Sequence, residues 1–248
     1  MEPAIAIESV TKRFGQKVAV DDLTLTVPPG ELYAFLGPNG AGKTTTIKMI
    51  CGLLRPQRGT IRVCGYPVGT DGLAAKARLA YVPDQPFLYD KLTAREFLFF
   101  VAEMYGLRPE QRDRRLDDLI QQLAIGAFID QMTESFSHGM KQRVVLAAAL
   151  LHDPQVLIVD EPMVGLDPRT VRTVKDLFVQ RTREGRTVFM STHTLEVAEA
   201  VSDRIGIIHN GRLITVGTMN ELKRRATGSA TLEEAFLRLT EEGDEPCP

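Results

Sequence analysis

The run Gly37-Pro38-Asn39-Gly40-Ala41-Gly42-Lys43-Thr44 constrains this chain more than any other stretch. It matches G-x-x-x-x-G-K-[ST]. It lies between an apolar run, Leu32-Tyr33-Ala34-Phe35-Leu36, and a stretch of helical character at 43–53. Strand, glycine loop and helix in that order bring backbone N–H groups together at a helix N-terminus, where phosphate oxygens bind. Lys43 is placed to reach the β- and γ-phosphates of a nucleotide, and Thr44 to put its hydroxyl on Mg²⁺. A tight glycine turn is the bland alternative. The flanking strand and helix argue against it.

The rest of the chain alternates in the same way. Residues 4–8 read as a strand, separated from 32–36 by a turn at Pro28-Pro29-Gly30; 60–64 and 79–82 are further strands. Helices are expected over 93–105 and 109–123, the second carrying Leu116, Leu119, Ile120 and Leu123 at i, i+3, i+4, i+7. From 137 the pattern is helix 139–151, strand 156–160, helix 168–183, strand 187–191 and helix 194–201. The runs at 156–160 and 187–190 are apolar almost throughout, as parallel strands buried on both faces require. Residues 205–216 suit a hairpin around Asn210-Gly211. Short helices are expected at 218–225 and 231–239, and the acidic end, 240–248, as a disordered tail. The expectation is one α/β domain over 1–239. It has a parallel sheet, a small antiparallel β portion and an α-helical subdomain inserted at about 90–150.

Composition narrows the partners. Lys plus Arg is 30 against 32 for Asp plus Glu, a net charge of −2, so no basic excess offers itself to nucleic acid. Cys51, Cys64 and Cys247 are widely spaced and suggest neither a metal pair nor a disulfide framework, which fits a reducing compartment. The longest uncharged apolar run, 144–151, is far too short to span a bilayer. The N-terminus lacks the pattern of a signal peptide. Any membrane role is expected to come through a partner.

A second motif ends an apolar strand on two acids, Asp160-Glu161. Asp160 at the sheet edge could hold a Mg²⁺ water, and Glu161 could polarise an attacking water as general base. Alone, two acids at a strand end also describe a solvated terminus. The phosphate loop in the same chain makes the catalytic reading the stronger one.

The third motif, Phe136-Ser137-His138-Gly139-Met140-Lys141-Gln142-Arg143, resembles the signature LSGGQ-x-x-R. With it, the chain resembles the ATP-binding subunits of ABC transporters from about residue 4 to 217, and more loosely to 239. The resemblance implies a P-loop NTPase core that takes ATP and Mg²⁺. It implies a head-to-tail dimer with a second nucleotide-binding subunit, a homodimer if both are this chain. In such a dimer Ser137, His138 and Gly139 would meet the γ-phosphate held by the partner's loop. It also implies that Phe14 stacks on adenine, Thr45 contacts the α-phosphate and His193 senses the γ-phosphate. Gly165-Leu166-Asp167 falls at the dimer-contact loop. The remaining implication is a polytopic membrane permease subunit, with this chain cytoplasmic and peripheral on the membrane. Met140-Lys141-Gln142-Arg143 and the segments at 88–98 and 192–205 resemble bacterial export ATPases. The alternative is a non-transport ABC ATPase acting on ribosomes, DNA or cluster assembly.

Two positions depart from the family pattern. Where a glutamine is usual after the strand at 79–82, alignment places Asp84, with Gln85 one step later; both are candidate Mg²⁺ contacts. His138 replaces the second glycine of the signature, either as a pH-tuned contact or as a side chain pointing aside. The crowded Phe97, Phe99, Phe100, Val101, Met104 and Tyr105 serve either internal packing or a groove for a permease helix.

Overall fold

The computed structural model describes residues 2–69, 72–225, 234 and 236. The chain runs β1 (Ile5–Phe14), β2 (Lys17–Val27), β3 (Leu32–Leu36), α1 (Lys43–Ile50), β4 (Arg58–Val63), β5 (Tyr66–Pro67), α2 (Leu73–Lys76) and β6 (Leu79–Val82). It continues with α3 (Ala94–Met104), α4 (Pro109–Gln122), α5 (His138–Leu150), β7 (Val156–Asp160), α6 (Pro168–Arg183), β8 (Thr187–Thr192), α7 (Leu195–Val201), β9 (Arg204–His209), β10 (Arg212–Gly217) and α8 (Met219–Arg225).

Two sheets result, as the alternation anticipates. The larger has the order β10-β9-β3-β8-β7-β6, with β9, β3, β8, β7 and β6 parallel and β10 antiparallel to β9. Every residue of β3, β7 and β8 is buried, which explains their continuous apolar sequences. The smaller sheet, β2-β1-β4-β5, is antiparallel. One core lies between the large sheet and the helices α3 to α6; the other lies between that sheet, α1 and the small sheet. Tyr33 and Phe189 stack in the second core with ring centroids 5.4 Å apart.

Registers fix the level of the site. Leu36 stands opposite Thr192, and Asp160 opposite Ser191. The chain therefore leaves β3, β7 and β8 at one edge of the sheet, beyond the carboxyl ends of its strands. Ligands of open α/β sheets bind in that crevice.

The strand β2 was not anticipated, and β1 extends well past residue 8. Both carry bulges that break the two-residue period. Buried Ile5 and Ile7 are followed by Val10 rather than residue 9, with Ser9 at φ 47°. Buried Val20 is followed by Leu23, with Asp22 at φ 48°. A bulge adds one residue and shifts the alternation out of phase. Helix α1 ends at Ile50 rather than residue 53, because Gly52 at φ 69° turns the chain and both Leu53 and Leu54 N–H groups return to the Lys48 carbonyl. The helix expected at 231–239 lies mostly, and the tail at 240–248 wholly, outside the described residues.

Candidate active site

A cleft of about 360 Å³ opens at that sheet edge, lined by Phe14, Lys17, Ala19, Asn39, Gly40, Gly42, Lys43, Thr44, Thr45, Asp84 and Glu161. The glycine loop can reach it only without side chains at two positions. A Cβ on Gly37 would lie 2.3 Å from the Ile208 carbonyl oxygen, and one on Gly42 2.5 Å from that of Ala19. Gly42 also takes φ 111°, a conformation open to glycine, and leads directly into α1. The loop is thus clamped between β9 and β2 and feeds N–H groups into the cleft at the start of a helix.

Glu161 is central to the charges. Its Oε1 lies 3.4 Å from Lys43 Nζ and 3.0 Å from His193 Nδ1. Lys43 Nζ also donates to the carbonyls of Gly37 at 2.7 Å and Pro38 at 3.2 Å. Lys43 and Glu161 are 5% and 12% exposed, so both charges are largely out of water and their pairing offsets desolvation. Glu161 takes φ 49°, a strained turn costing about 1–3 kcal/mol that aims its carboxylate back at the loop.

Ser191 holds that turn in place, and the sequence motifs did not single it out. Its hydroxyl donates to Asp160 Oδ1 and accepts from Glu161 N–H at 3.2 Å; its carbonyl accepts from the same N–H at 3.2 Å. The available signal is its position two residues before His193 on a strand parallel to β7. Lys17 is the other unanticipated side chain. It reaches the cleft from β2, beside Phe14 at the end of β1.

The residues present suit a nucleotide with a divalent cation. Thr44 lines the cleft, Asp160 closes the neighbouring strand, and Asp84 faces the same space. Burial foremost, and then the carboxylate of Asp160, the thiol of Cys51 and the carboxylate of Asp84, push the Tyr81 phenol well above its ordinary range. The two acids therefore act on one region. Among the described residues no three His, Cys, Asp or Glu side chains form a metal-binding group. Gln85 is exposed and does not line the cleft.

Phe14, at the cleft, is 50% exposed, with Lys12 Nζ 5.4 Å from its ring centroid, so its ring is available for stacking. Other anticipated residues fall elsewhere. Ser137 caps α5, accepting from Met140 N–H at 3.3 Å, and is exposed together with His138. Neither lines this chain's own cleft, nor does Gly139. The His138 ring packs on the loop at Gly165. Asp167 caps α6 through the N–H groups of Arg169 and Thr170 and the Thr170 hydroxyl, which holds its carboxyl below the usual range. In the aromatic cluster, Phe97 is buried, whereas Phe100, Met104 and Tyr105 are exposed; Phe100 packs edge-on against Tyr89, and Tyr105 stacks on His152. The buried Phe97 fits internal packing.

Comparison with known proteins agrees with this geometry. A family model described as ABC transporter matches residues 20–164. Nod factor export ATP-binding protein I of Paraburkholderia xenovorans is 37% identical over 232 residues, covering 94% of this chain and 76% of that protein. A solved structure of an ATP-binding subunit of an ABC transporter superposes with TM-score 0.89 at 35% identity, covering 96% of this chain and 99% of the other. The dimeric post-hydrolysis ATP-binding cassette MJ0796, bound to ADP and Pi, gives TM-score 0.78 at 25% identity, covering 86% and 98%. With a phosphate loop, a strand-end acid pair and a signature helix in one such fold, this chain belongs to the ABC transporter family as a subunit that binds and hydrolyses ATP.

Proposed function

We propose that this chain closes head to tail with a second nucleotide-binding subunit around two ATP molecules, and that their hydrolysis drives export through a polytopic membrane permease. The observation that carries this reading is the division of the site. The phosphate loop and Glu161 line one cleft and His193 pairs with Glu161, while the exposed N-terminal turn of α5 lies apart from it. A capped helix N-terminus turned to solvent suits the phosphate of another chain's nucleotide. The dimeric likeness and the export-named relative support the same reading.

Each residue has a chemical task in it. Phe14 stacks on adenine; residues 37–42 and the N–H groups of Lys43, Thr44 and Thr45 surround the phosphates. Phosphate oxygens compete with Glu161 for the Lys43 ammonium. That exchange leaves the Glu161 carboxylate to His193 and to the attacking water, whose proton it takes. Thr44 would hold Mg²⁺, with Asp160 near it, and the ion would supply neutralisation of charge developing on the phosphates. Ser137, Gly139 and the backbone N–H of His138 contribute from the other subunit.

Asp84 takes the relay position between nucleotide and permease. Asp84→Ala is expected to lower ATP turnover clearly, whereas Gln85→Ala leaves it near the parent value. Steady-state phosphate release checks this, and the reverse order would assign the role to Gln85. The exposed cluster of Phe87, Tyr89 and Phe100 is the docking surface for a short permease helix. No helix among the described residues is long and apolar enough to cross a membrane. We place the chain on the cytoplasmic side, held by its permease, with residues 1–239 working as one cassette.

The test is affinity capture of the Glu161→Gln chain from detergent-solubilised native membranes with ATP present. Stoichiometric recovery of a polytopic membrane protein is expected. Recovery of ribosomes, DNA-associated proteins or a soluble assembly complex instead would move the same nucleotide chemistry to a non-transport role.

A further inference from the structure

We propose that His138 is a positioning residue. Its ring fastens the first turn of α5 to the Glu161–Asp167 turn of the same chain, so that the signature offered to one ATP and the base acting on the other are held as one body. This rests on the two-chain reading above.

The contact is specific in shape. A Cβ on Gly165 would stand 3.3 Å from His138 Cδ2 and 3.7 Å from Nε2, so the ring lies against backbone at a position where φ is 72°. The next residue extends the contact. A Cβ on Gly139 would lie 3.7 Å from Leu166 Cδ2 and 4.0 Å from Asp167 Oδ2. The Gly165 side of the contact is tied at both ends. Val164 N–H donates to the Glu161 carbonyl at 3.3 Å, and Leu166 N–H to that of Met163 at 3.5 Å, which links the loop to the base. Asp167 anchors the far end to α6, accepting from the Arg169 and Thr170 N–H groups at 3.0 Å and from the Thr170 hydroxyl at 2.6 Å. His138 itself begins α5 directly after the cap Ser137.

A displacement of the α5 N-terminus is therefore delivered through one ring to a turn four residues from Glu161. Three ring atoms, Cδ2, Nε2 and Cγ, lie within 4.0 Å of that Cβ position, so a flat side chain of this size makes the contact. His138 does not line the chain's own cleft, which separates its effect from nucleotide capture by a single subunit.

The experiment compares His138→Gly and His138→Phe in the Glu161→Gln background. It reads ATP-dependent dimerisation by light scattering and binding of a fluorescent ATP analogue to the monomer. His138→Gly is expected to raise the ATP concentration for half-dimerisation about three- to tenfold, the worth of one packed ring, with monomer binding unchanged. His138→Phe is expected to recover most of that loss. In the Glu161 background both His138 variants are also followed for kcat and KM, and His138→Gly is expected to raise the apparent KM for ATP in step with half-dimerisation, with His138→Phe restoring it. Dimerisation unaffected by His138→Gly, or a loss that the phenylalanine does not restore, would overturn the proposal. Failure of the Glu161→Gln chain itself to dimerise with ATP would instead overturn the two-chain reading and the proposal with it.

Discussion

Glu161→Gln is expected to lower ATP turnover by about 10²- to 10⁴-fold, the range for a lost general base, while nucleotide binding persists. The amide keeps the size and the strained turn of the native side chain, so the fold has no reason to change. It can still accept from the backbone N–H of His193, which lies 3.4 Å from Oε2. What it loses is the capacity to take a proton from water and to pair with the Lys43 ammonium. With that competitor gone, Lys43 is held by the Gly37 and Pro38 carbonyls and by phosphate alone, so affinity for ATP should hold or rise. Single-turnover phosphate release measured beside binding of a fluorescent nucleotide checks both halves. Turnover within about tenfold of the parent would remove Glu161 from the role of base and point to another group.

Gly42→Ala is expected to abolish useful nucleotide binding. The new methyl would sit 2.5 Å from the Ala19 carbonyl oxygen and 3.3 Å from Ile208 Cδ1, at φ 111°. Backbone strain there costs about 1–3 kcal/mol. Overpacking against β2 and β9 adds about 1–3 kcal/mol more. Neither strand yields easily, since Val20 and Ile208 are fully buried, so the loop must move instead. A shift of about 1 Å in a positioned group costs about 100-fold in rate or binding. Gly40→Ala is the control: Gly40 also has positive φ, 83°, but a Cβ there meets nothing within 4 Å. Within the fold its cost is the strain alone, with no clash against β2 or β9. Isothermal titration with ATP and urea unfolding of the two variants separate loop displacement from general destabilisation. Equal losses in both variants would mean that the clash with Ala19 does not matter.

Much of the site was legible because its chemistry is local in sequence. The phosphate loop and Asp160-Glu161 directly follow apolar runs, His193 follows one after Ser191 and Thr192, and β3, β8 and β7 are neighbours that end level with one another. Apolar runs of the right length identify such strands before any pairing is known. The unread parts depend on contacts between distant residues or on broken periods. Ser191 serves Asp160 and Glu161 across thirty or so positions, and nothing in its own flanks marks it beyond proximity to His193. β2 was hidden because the bulge at Asp22 takes Leu23 out of phase with Val20, and Lys17 was hidden with it. The direction of His138 was open because a helix N1 side chain can turn toward either neighbour. Its settlement on Gly165 is a matter of packing between α5 and the loop before α6. Asp84 and Gln85 are adjacent, and only the turn after β6 decides which one faces Thr44 and Glu161.

The division of the site between two chains is the central claim, and the mass of the Glu161→Gln chain in solution tests it most directly. Size-exclusion chromatography with light scattering, run with Mg²⁺ and either ATP or ADP, is expected to give twice the chain's mass with ATP and the single mass with ADP. A chain that binds ATP tightly and remains a monomer would show that the cleft is complete by itself and that the exposed start of α5 serves some other purpose.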